Sequence, residues 1–313
     1  MTLAPADTPQ AGRRARTSRR RRAWRMPWAA AVASLVIVTG LCVFLYPQVA
    51  SWFSQKEQSR VTAIAQERLE EPPNNDPDVR AEQILRAREY NDALASGAIL
   101  NANANVAVGD GTLSNDSFAY DDILNPLGTG FMGRLRYDAL QIDLPIYHGT
   151  STTTLEHGVG HLEGTSLPVG GVGTRSVLTA HRGLPSATLF TDLDRAEMGD
   201  TFTVSVLDQV LTYQVVEIQV IKPEDTEAII ADPDRDLVTL VTCTPLGINS
   251  HRILVTAERI TPTPEKDLLA AQQEPELPGF PWWALILGGA ALTLGIYTWR
   301  AGYAPPAAPA ASE

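Results

Sequence analysis

The stretch Asp236-Leu-Val-Thr-Leu-Val-Thr-Cys-Thr-Pro245, continued by Leu246-Gly-Ile-Asn-Ser-His-Arg252, decides how this chain folds. Its first part alternates side chains between two faces with the period of a β-strand. Pro245 ends that strand, because proline has no N–H to give to a ladder. Branched and apolar residues after Arg252 favour a second strand that pairs back on the first. The pattern therefore predicts a hairpin that brings Cys243 and Arg252 side by side at the end of a sheet.

Strand patterns recur on the N-terminal side of this hairpin. The predicted strands are 132–138, 140–147, 175–180, 201–207, 210–221, 236–243 and 252–260. Short apolar runs separated by turn signals are typical of an all-β sandwich or closed barrel. One short helix is predicted at 186–193, and two longer ones upstream, at 60–70 and from Asp78 to about Leu94.

The charge of the 313-residue chain is unevenly distributed. Eight arginines and one aspartate give residues 1–25 a net charge of +7, which leaves −18 of the total of −11 for the remainder. A nucleic-acid surface needs clustered lysine and arginine on the folded part, so the acidic body excludes that class of partner.

Two apolar segments predict membrane spans. No charged residue occurs from Met26 to Gln55, and the core of this run is long enough to cross a bilayer. A cleaved signal peptide is the alternative, but its apolar core is typically about 7–15 residues, and this run is longer. The second segment, Phe280–Trp299, has tryptophans or tyrosine at both ends, as interfacial belts do. The basic N-terminal tail predicts that both termini stay in the cytoplasm, with residues from about 50 to 278 outside.

Cys243, His181 and Arg252 are the candidate catalytic residues. The other cysteine, Cys42, lies inside the first apolar segment, so Cys243 has no intrachain partner for a disulfide outside the membrane. His181 ends an apolar strand, as Cys243 does, and both are expected to face the mouth of a barrel. An imidazole can pair with a thiolate or move protons, and an arginine can hold an oxyanion. These residue types favour thiol acyl transfer. The alternatives are a buried or partner-linked thiol, a solvated histidine and a surface arginine.

The remaining histidines do not predict a metal site. In His157-Gly-Val-Gly-His161 the glycines disfavour a helix, so the two imidazoles do not share a helical face. No acidic or cysteine-rich partner stands close in the sequence, and neither a metal nor another cofactor is predicted. His148 and His251 are interpreted as polar loop residues, with His251 close enough to Arg252 to line the site.

At this point a resemblance becomes clear. The segment Thr239-Leu-Val-Thr-Cys-Thr-Pro245 with Arg252, together with Leu178-Thr-Ala-His181, resembles the signature of the sortases, membrane-anchored cysteine transpeptidases of Gram-positive bacteria. Further stretches resemble the pilus-building class C branch; they are 144–149, 158–168 and 181–186. The resemblance covers roughly residues 80–260.

The resemblance implies a closed eight-stranded sortase-type β-barrel with N-terminal helices and flanking transmembrane helices. It implies that Cys243 is the nucleophile, His181 the general acid/base or thiolate partner, and Arg252 the stabiliser of the oxyanion or carbonyl. Members of the family cleave an LPXTG-like sorting signal between Thr and Gly, and in pilus sortases a pilin lysine resolves the thioacyl intermediate. The implied partners are pilin or surface proteins bearing such signals, and the membrane.

The expected domain order follows from the spans and the barrel. It reads 1–25 basic cytoplasmic tail; 26–49 transmembrane helix; 50–130 helical segment and lid loop; 131–262 catalytic barrel; 263–279 linker; 280–299 transmembrane helix; 300–313 disordered tail. Class C sortases usually carry a lid with Asp-Pro and an aromatic residue. Residues 99–108 and the wider loop 95–117 contain no such motif, so no lid residue is assigned.

Two competing functions remain at this stage. The first is a housekeeping sortase that anchors single proteins to cell-wall peptidoglycan. The second is a non-catalytic, membrane-tethered barrel that binds extracellular ligands. Pilus polymerisation is favoured over the first by the C-terminal span and the long segment before the barrel.

Overall fold

The structure, a computed structural model, describes residues 24–94, 99–100, 107–108 and 120–303. Most of the predicted basic tail, most of the 95–117 loop and most of the C-terminal tail therefore lie outside the described residues. The chain divides into two compact units, one formed by residues up to Phe44 and from Ala284 onward, the other by Leu45–Trp283.

Five helices and ten strands are found in the described part of the chain. The helices are α1 Trp28–Leu69, α2 Pro77–Ala93, α3 Thr152–His157, α4 Glu265–Ala271 and α5 Trp282–Ala301. The strands are β1 Ile99–Leu100, β2 Ala107–Val108, β3 Phe131–Tyr137, β4 Ile142–His148, β5 Val159–His161, β6 Thr174–Thr179, β7 Thr201–Val206, β8 Gln209–Ile221, β9 Asp236–Thr244 and β10 His251–Ile260.

Strands β3 to β10 form a closed barrel in the order β10-β8-β7-β3-β4-β5-β6-β9, with β9 returning to β10. The pairs β4–β5 and β6–β9 are parallel, and the other pairs are antiparallel. The prediction of a closed eight-stranded barrel is thus confirmed. The predicted hairpin is β9–β10, the antiparallel pair that closes the barrel.

Alternation along β9 separates two apolar clusters. Val238 and Leu240 belong to the large core that fills the barrel. Val241 belongs to a smaller cluster on the opposite, outer face, where it packs with Val177 and Leu254. Because neighbouring side chains on a strand point to opposite faces, Cys243 shares the outer face with Val241.

All seven predicted strands are present, with boundaries within two residues of those predicted. Three strands were not predicted: β1 and β2, of two residues each, and β5, of three. The helix predicted at 186–193 is wrong: that segment consists of turns and precedes a single 3-10 turn at Leu193–Arg195. The short helix lies instead at α3, where the Ser151 side chain caps the first turn by accepting a hydrogen bond from Thr154 N.

The segment predicted as a linker, 263–279, contains α4 and is bonded to the barrel. Arg134 Nη1 donates to the Gln273 carbonyl at 2.9 Å, and the backbone N–H of Glu276 donates to Asp143 Oδ2 at 3.0 Å. Arg134 and Asp143 themselves form a buried ion pair at 2.6 Å. After β10 the chain therefore remains bonded to the barrel as far as Glu276.

In the first unit, the beginning of α1 and the end of α5 lie side by side. Ser34 Oγ and Thr298 Oγ1 are 3.0 Å apart, and the backbone N–H of Arg25 donates to the Gly302 carbonyl at 3.0 Å. By length and composition, α1 and α5 are the two helices of the described chain that could cross a membrane. The predicted helix at 60–70 is the last part of the continuous α1.

Candidate active site

Three adjacent strands bring the predicted catalytic residues to one level. In the β9–β10 ladder, Arg252 is the register partner of Cys243. In the parallel β6–β9 pair, Thr179 is opposite Val241, and the Ala180 N–H extends the ladder by donating to the Val241 carbonyl at 3.2 Å. His181 follows Ala180 just beyond the end of β6, and continuing this register by two residues puts it level with Cys243. Directly opposite residues project from the same face of a sheet, so the three side chains share one face.

That face is the outside of the barrel. The position at the mouth of the barrel that the sequence predicts for Cys243 and His181 is wrong. The barrel interior is filled by the large apolar core, which includes Leu178, Ala180 and Ile253. Their sequence neighbours therefore point outward, and the site is a groove on the outer surface of β6, β9 and β10.

Cys243 is a buried thiol, with 7% of its surface exposed. Burial raises the pKa of the Cys243 thiol, because the thiolate is poorly solvated there, and the positive charge of Arg252 opposes this by lowering the pKa. The thiol therefore depends on Arg252 for part of its ionisation. Cys42, the other cysteine, is exposed on α1.

Arg252 is held by the loop that joins β9 to β10. Its Nη1 donates to the carbonyls of Asn249 at 2.9 Å and His251 at 3.1 Å. Asn249 has a φ of 58°, a left-handed conformation that asparagine tolerates and that turns the loop back toward the strand. His251 begins β10 as the register partner of Thr244, and its Nδ1 lies 2.9 Å from Ser250 Oγ.

His181 is half-buried immediately after β6. Burial lowers the pKa of His181, since it disfavours the imidazolium, and the negative charge of Glu156 acts in the opposite direction. The shifts of the thiol and the imidazole both favour the neutral forms. The charges of Arg252 and Glu156 act in the opposite direction and favour the thiolate and the imidazolium.

Arg182, which the sequence reading did not single out, fixes the loop that carries His181. Its Nε donates to the Thr191 carbonyl at 3.0 Å, its Nη1 lies 3.2 Å from Thr244 Oγ1, and its Nη2 pairs with Asp194. Thr244 follows Cys243 in β9. Arg182 thus ties the histidine loop to the strand of the cysteine, a contact that no local pattern in the sequence reveals.

His161 and His148 serve the fold on another side of the barrel. His161 is fully buried, with its Nδ1 2.9 Å from the Tyr120 hydroxyl and its Nε2 2.9 Å from the Ser166 carbonyl. Burial lowers the pKa of His161 to about 4. His148, interpreted from sequence as a loop residue, is instead the last residue of β4, and its ring nitrogens face the carbonyls of Gly130 and Ile123 at 3.0 and 2.7 Å. The described residues include no group of three or more His, Cys, Asp or Glu side chains that could hold a metal ion.

The chain resembles known proteins in both sequence and fold. The sequence model of the sortase domain matches residues 135–260. A curated relative, Sortase A of Streptococcus agalactiae serotype III, is 32% identical over 130 residues, which cover 41% of this chain and 52% of that protein. The chain thus spans about half the length of this relative.

Two solved structures resemble the chain more closely. Sortase C-1 from Actinomyces oris is 46% identical with a TM-score of 0.53, and the match covers 59% of this chain and 99% of that one. The Group B Streptococcus Pilus Island 1 Sortase C2 is 41% identical with a TM-score of 0.52, and the match covers 59% of this chain and 99% of that one. Both matches cover nearly the whole of the solved chains.

Proposed function

Since this chain belongs to the sortase family, we propose that it is a cysteine transpeptidase that cleaves an LPXTG-like sorting signal between Thr and Gly and transfers the acyl group to a pilin lysine. The observation that supports the proposal is the register of β6, β9 and β10, which pairs Cys243 with Arg252 and, continued by two residues past the end of β6, puts His181 on the other side of Cys243. A sulfur nucleophile, a proton carrier and a fixed cation on one outward face are what a thioacyl transfer requires.

In the first half-reaction, the Cys243 thiolate attacks the carbonyl carbon of the threonine in the signal. Arg252 stabilises the negative charge that develops on the carbonyl oxygen. The C–N bond to glycine breaks, His181 gives its proton to the departing amine, and a thioester remains on Cys243.

In the second half-reaction, the neutral amine of a lysine attacks the thioester carbon. The C–S bond breaks, the electron pair returns to sulfur as the thiolate, and the amine proton passes to His181. The thiolate–imidazolium pair is thereby restored, and an isopeptide bond joins the two proteins. The lysine is proposed as acceptor because of the likeness to sortases C, one of which is named for a pilus island.

The chain is further proposed to act at the outer face of the cell membrane. Two helices are long and apolar enough to cross a membrane, and the arginine-rich segment before the first favours the cytoplasm. Residues between the two spans, which include the barrel, would then be extracellular and could meet secreted substrates.

The test is mass spectrometry of the purified full chain, in detergent, after incubation with an LPXTG-like peptide. We expect a mass adduct on Cys243 that corresponds to the peptide cleaved after threonine. The Cys42→Ala chain should form the same adduct, and the Cys243→Ala chain should form none. Cleavage of the peptide by the Cys243→Ala chain, or an intact peptide with unmodified Cys243, would overturn the proposal.

A further inference from the structure

A cavity of about 380 Å³ opens beside the loop that follows His181. Three segments that are far apart in the sequence line it: the second half of α1, the end of α3 with neighbouring β4, and the loop at 184–186. All of these residues belong to the unit that contains the barrel. Neither Cys243 nor Arg252 lines the cavity.

The cavity adjoins His181 in two ways. Leu184 and Ser186, which line it, follow His181 closely in the same loop. Glu156, which also lines it, is the acidic residue whose charge favours the imidazolium of His181. A group held in this cavity is therefore on the side of the site where protons are exchanged with amines.

The polar groups of the cavity are complementary to a cation. Glu57 and Glu156 provide carboxylates, and Tyr147 provides a phenol whose pKa burial raises to about 12, so that it stays neutral. Glu57 is ion-paired with Arg60 at 2.5 Å, whereas no ion pair of Glu156 is found within the described ranges. Glu156 is therefore the carboxylate most available to an incoming ammonium group.

Gln58 supplies an independent indication of a ligand. Its side chain lines the cavity, only 6% of its surface is exposed, and its Nε2 has no hydrogen-bond partner among the residues that the structure describes. Buried amide groups almost always make hydrogen bonds, so a buried N–H group without a partner indicates that an acceptor binds there. A peptide carbonyl is such an acceptor. The cavity thus offers a donor for a peptide backbone and carboxylates for a cationic side chain.

We propose that this cavity is the docking site for the lysine-bearing segment of the acceptor protein, with Glu156 receiving the lysine ammonium group and Gln58 a backbone carbonyl. This inference rests on the proposed transpeptidase function and assigns the acceptor subsite within it. The bound ammonium releases one proton to solvent to become the neutral amine. That amine attacks the thioester, and its second proton goes to His181, as the second half-reaction requires.

The experiment lets two nucleophiles compete for the same acyl-enzyme in the full chain. One is a short lysine peptide, which is cationic, and the other is hydroxylamine, which is uncharged near neutral pH. The measured quantity is the ratio of isopeptide product to hydroxamate. Because both products come from one thioester, the ratio reports acceptor docking and is independent of the rate of acylation.

We expect Glu156→Gln to lower this ratio about two- to fivefold, the effect of an exposed charge pair. Added salt should lower the ratio for the unmodified chain and have less effect on the variant, because salt screens the attraction of Glu156 for the lysine. Ser186→Lys, which adds a cation at the cavity, should lower the ratio as well. The matched control is Glu89→Gln, which removes one exposed carboxylate from α2, away from the cavity.

An unchanged ratio in both Glu156→Gln and Ser186→Lys, with hydroxamate still formed, would overturn the docking site and leave the transpeptidase proposal intact. Failure of the unmodified chain to form hydroxamate would instead overturn the proposed function itself. Hydroxamate formation by each variant also shows that it is folded and acylated.

Discussion

Burial and charge act against each other at Cys243. Burial raises the pKa of the thiol, and Arg252 is the charged group that lowers it. The same guanidinium is fixed by the carbonyls of Asn249 and His251, so its position beside the sulfur does not depend on bound substrate. Arg252 therefore has two proposed tasks, ionisation of the thiol and stabilisation of the oxyanion.

Replacement of Arg252 by alanine is expected to raise the pKa of the Cys243 thiol by about one unit, the lower end of the effect of an adjacent opposite charge. The rate of alkylation by iodoacetamide, followed against pH in a Cys42→Ala background, measures this pKa. Near neutral pH the thiolate fraction, and with it the alkylation rate, should fall about tenfold.

The matched control for this measurement is Arg259→Ala, which removes an arginine from the same strand but from the far end, where its guanidinium packs on the Tyr213 ring. Its alkylation profile should coincide with that of the parent chain. An Arg252→Ala profile that also coincides with the parent would contradict the ionising role of Arg252.

The sequence singles out the three candidate catalytic residues because each has a distinctive chemistry at a strand end. Glu156 and Arg182 could not. Glu156 is one of many exposed acidic residues, and its relation to His181 arises only from the packing of α3 beside the histidine loop. Arg182 acts through Thr191, Asp194 and Thr244, contacts that depend on how distant segments meet.

Among the elements of the barrel, β5 shows where prediction from sequence reaches its limit. The longer strands can be recognised in the sequence because apolar and polar residues alternate or because β-branched apolar residues follow one another. By contrast, Val159-Gly-His161 is three residues long and contains a glycine, so it offers no period to detect. It is a strand because β4 and β6 lie on either side of it and because Gly160 fits where a side chain would collide with the Gly149 carbonyl.

His161 connects β5 to two other segments. It accepts a hydrogen bond from the Tyr120 hydroxyl at Nδ1 and donates one from Nε2 to the Ser166 carbonyl. Only the neutral imidazole makes both bonds. Because burial lowers its pKa in the folded state to about 4, below the ordinary value of 6.5, the folded chain resists protonation of this residue.

A consequence for stability follows. The contribution of neutral His161 is complete above pH 6.5 and is lost progressively as the pH falls toward about 4. The shift corresponds to about 3 kcal/mol of unfolding free energy. The prediction is that urea denaturation of the chain in detergent shows a steep loss of stability over this interval.

His161→Gln is the variant that isolates this effect, because the amide retains one donor and one acceptor but does not titrate. We expect it to be less stable than the parent chain at pH 7 and to lose less stability between pH 6.5 and 4.5. If the parent and the variant show the same slope of unfolding free energy against pH, His161 is not the titrating group.

Across the whole chain, charge and hydropathy predict more than any single motif does. The arginine-rich beginning, the two apolar spans and the acidic remainder are evident from composition alone. The structure adds that the two apolar helices run antiparallel within their unit. The Arg25 N–H bonds the Gly302 carbonyl, and Ser34 contacts Thr298, so the start of α1 lies beside the end of α5. This pairing could not be predicted from composition, because the apolar residues of a single sequence do not show which helices pack together.

Because the start of α1 lies beside the end of α5, we expect both termini on the same side of the membrane, and the arginines before α1 favour the cytoplasm. Single cysteines introduced into a Cys42→Ala, Cys243→Ala chain test this arrangement with a membrane-impermeant maleimide. Ser151→Cys, at an exposed position before α3, should be labelled in intact cells. Ser18→Cys and Ser312→Cys should be labelled only after lysis, since a bilayer then separates them from the reagent. Labelling of Ser312→Cys but not Ser18→Cys in intact cells would mean that α5 does not cross the membrane, and the barrel would then be held by α1 alone.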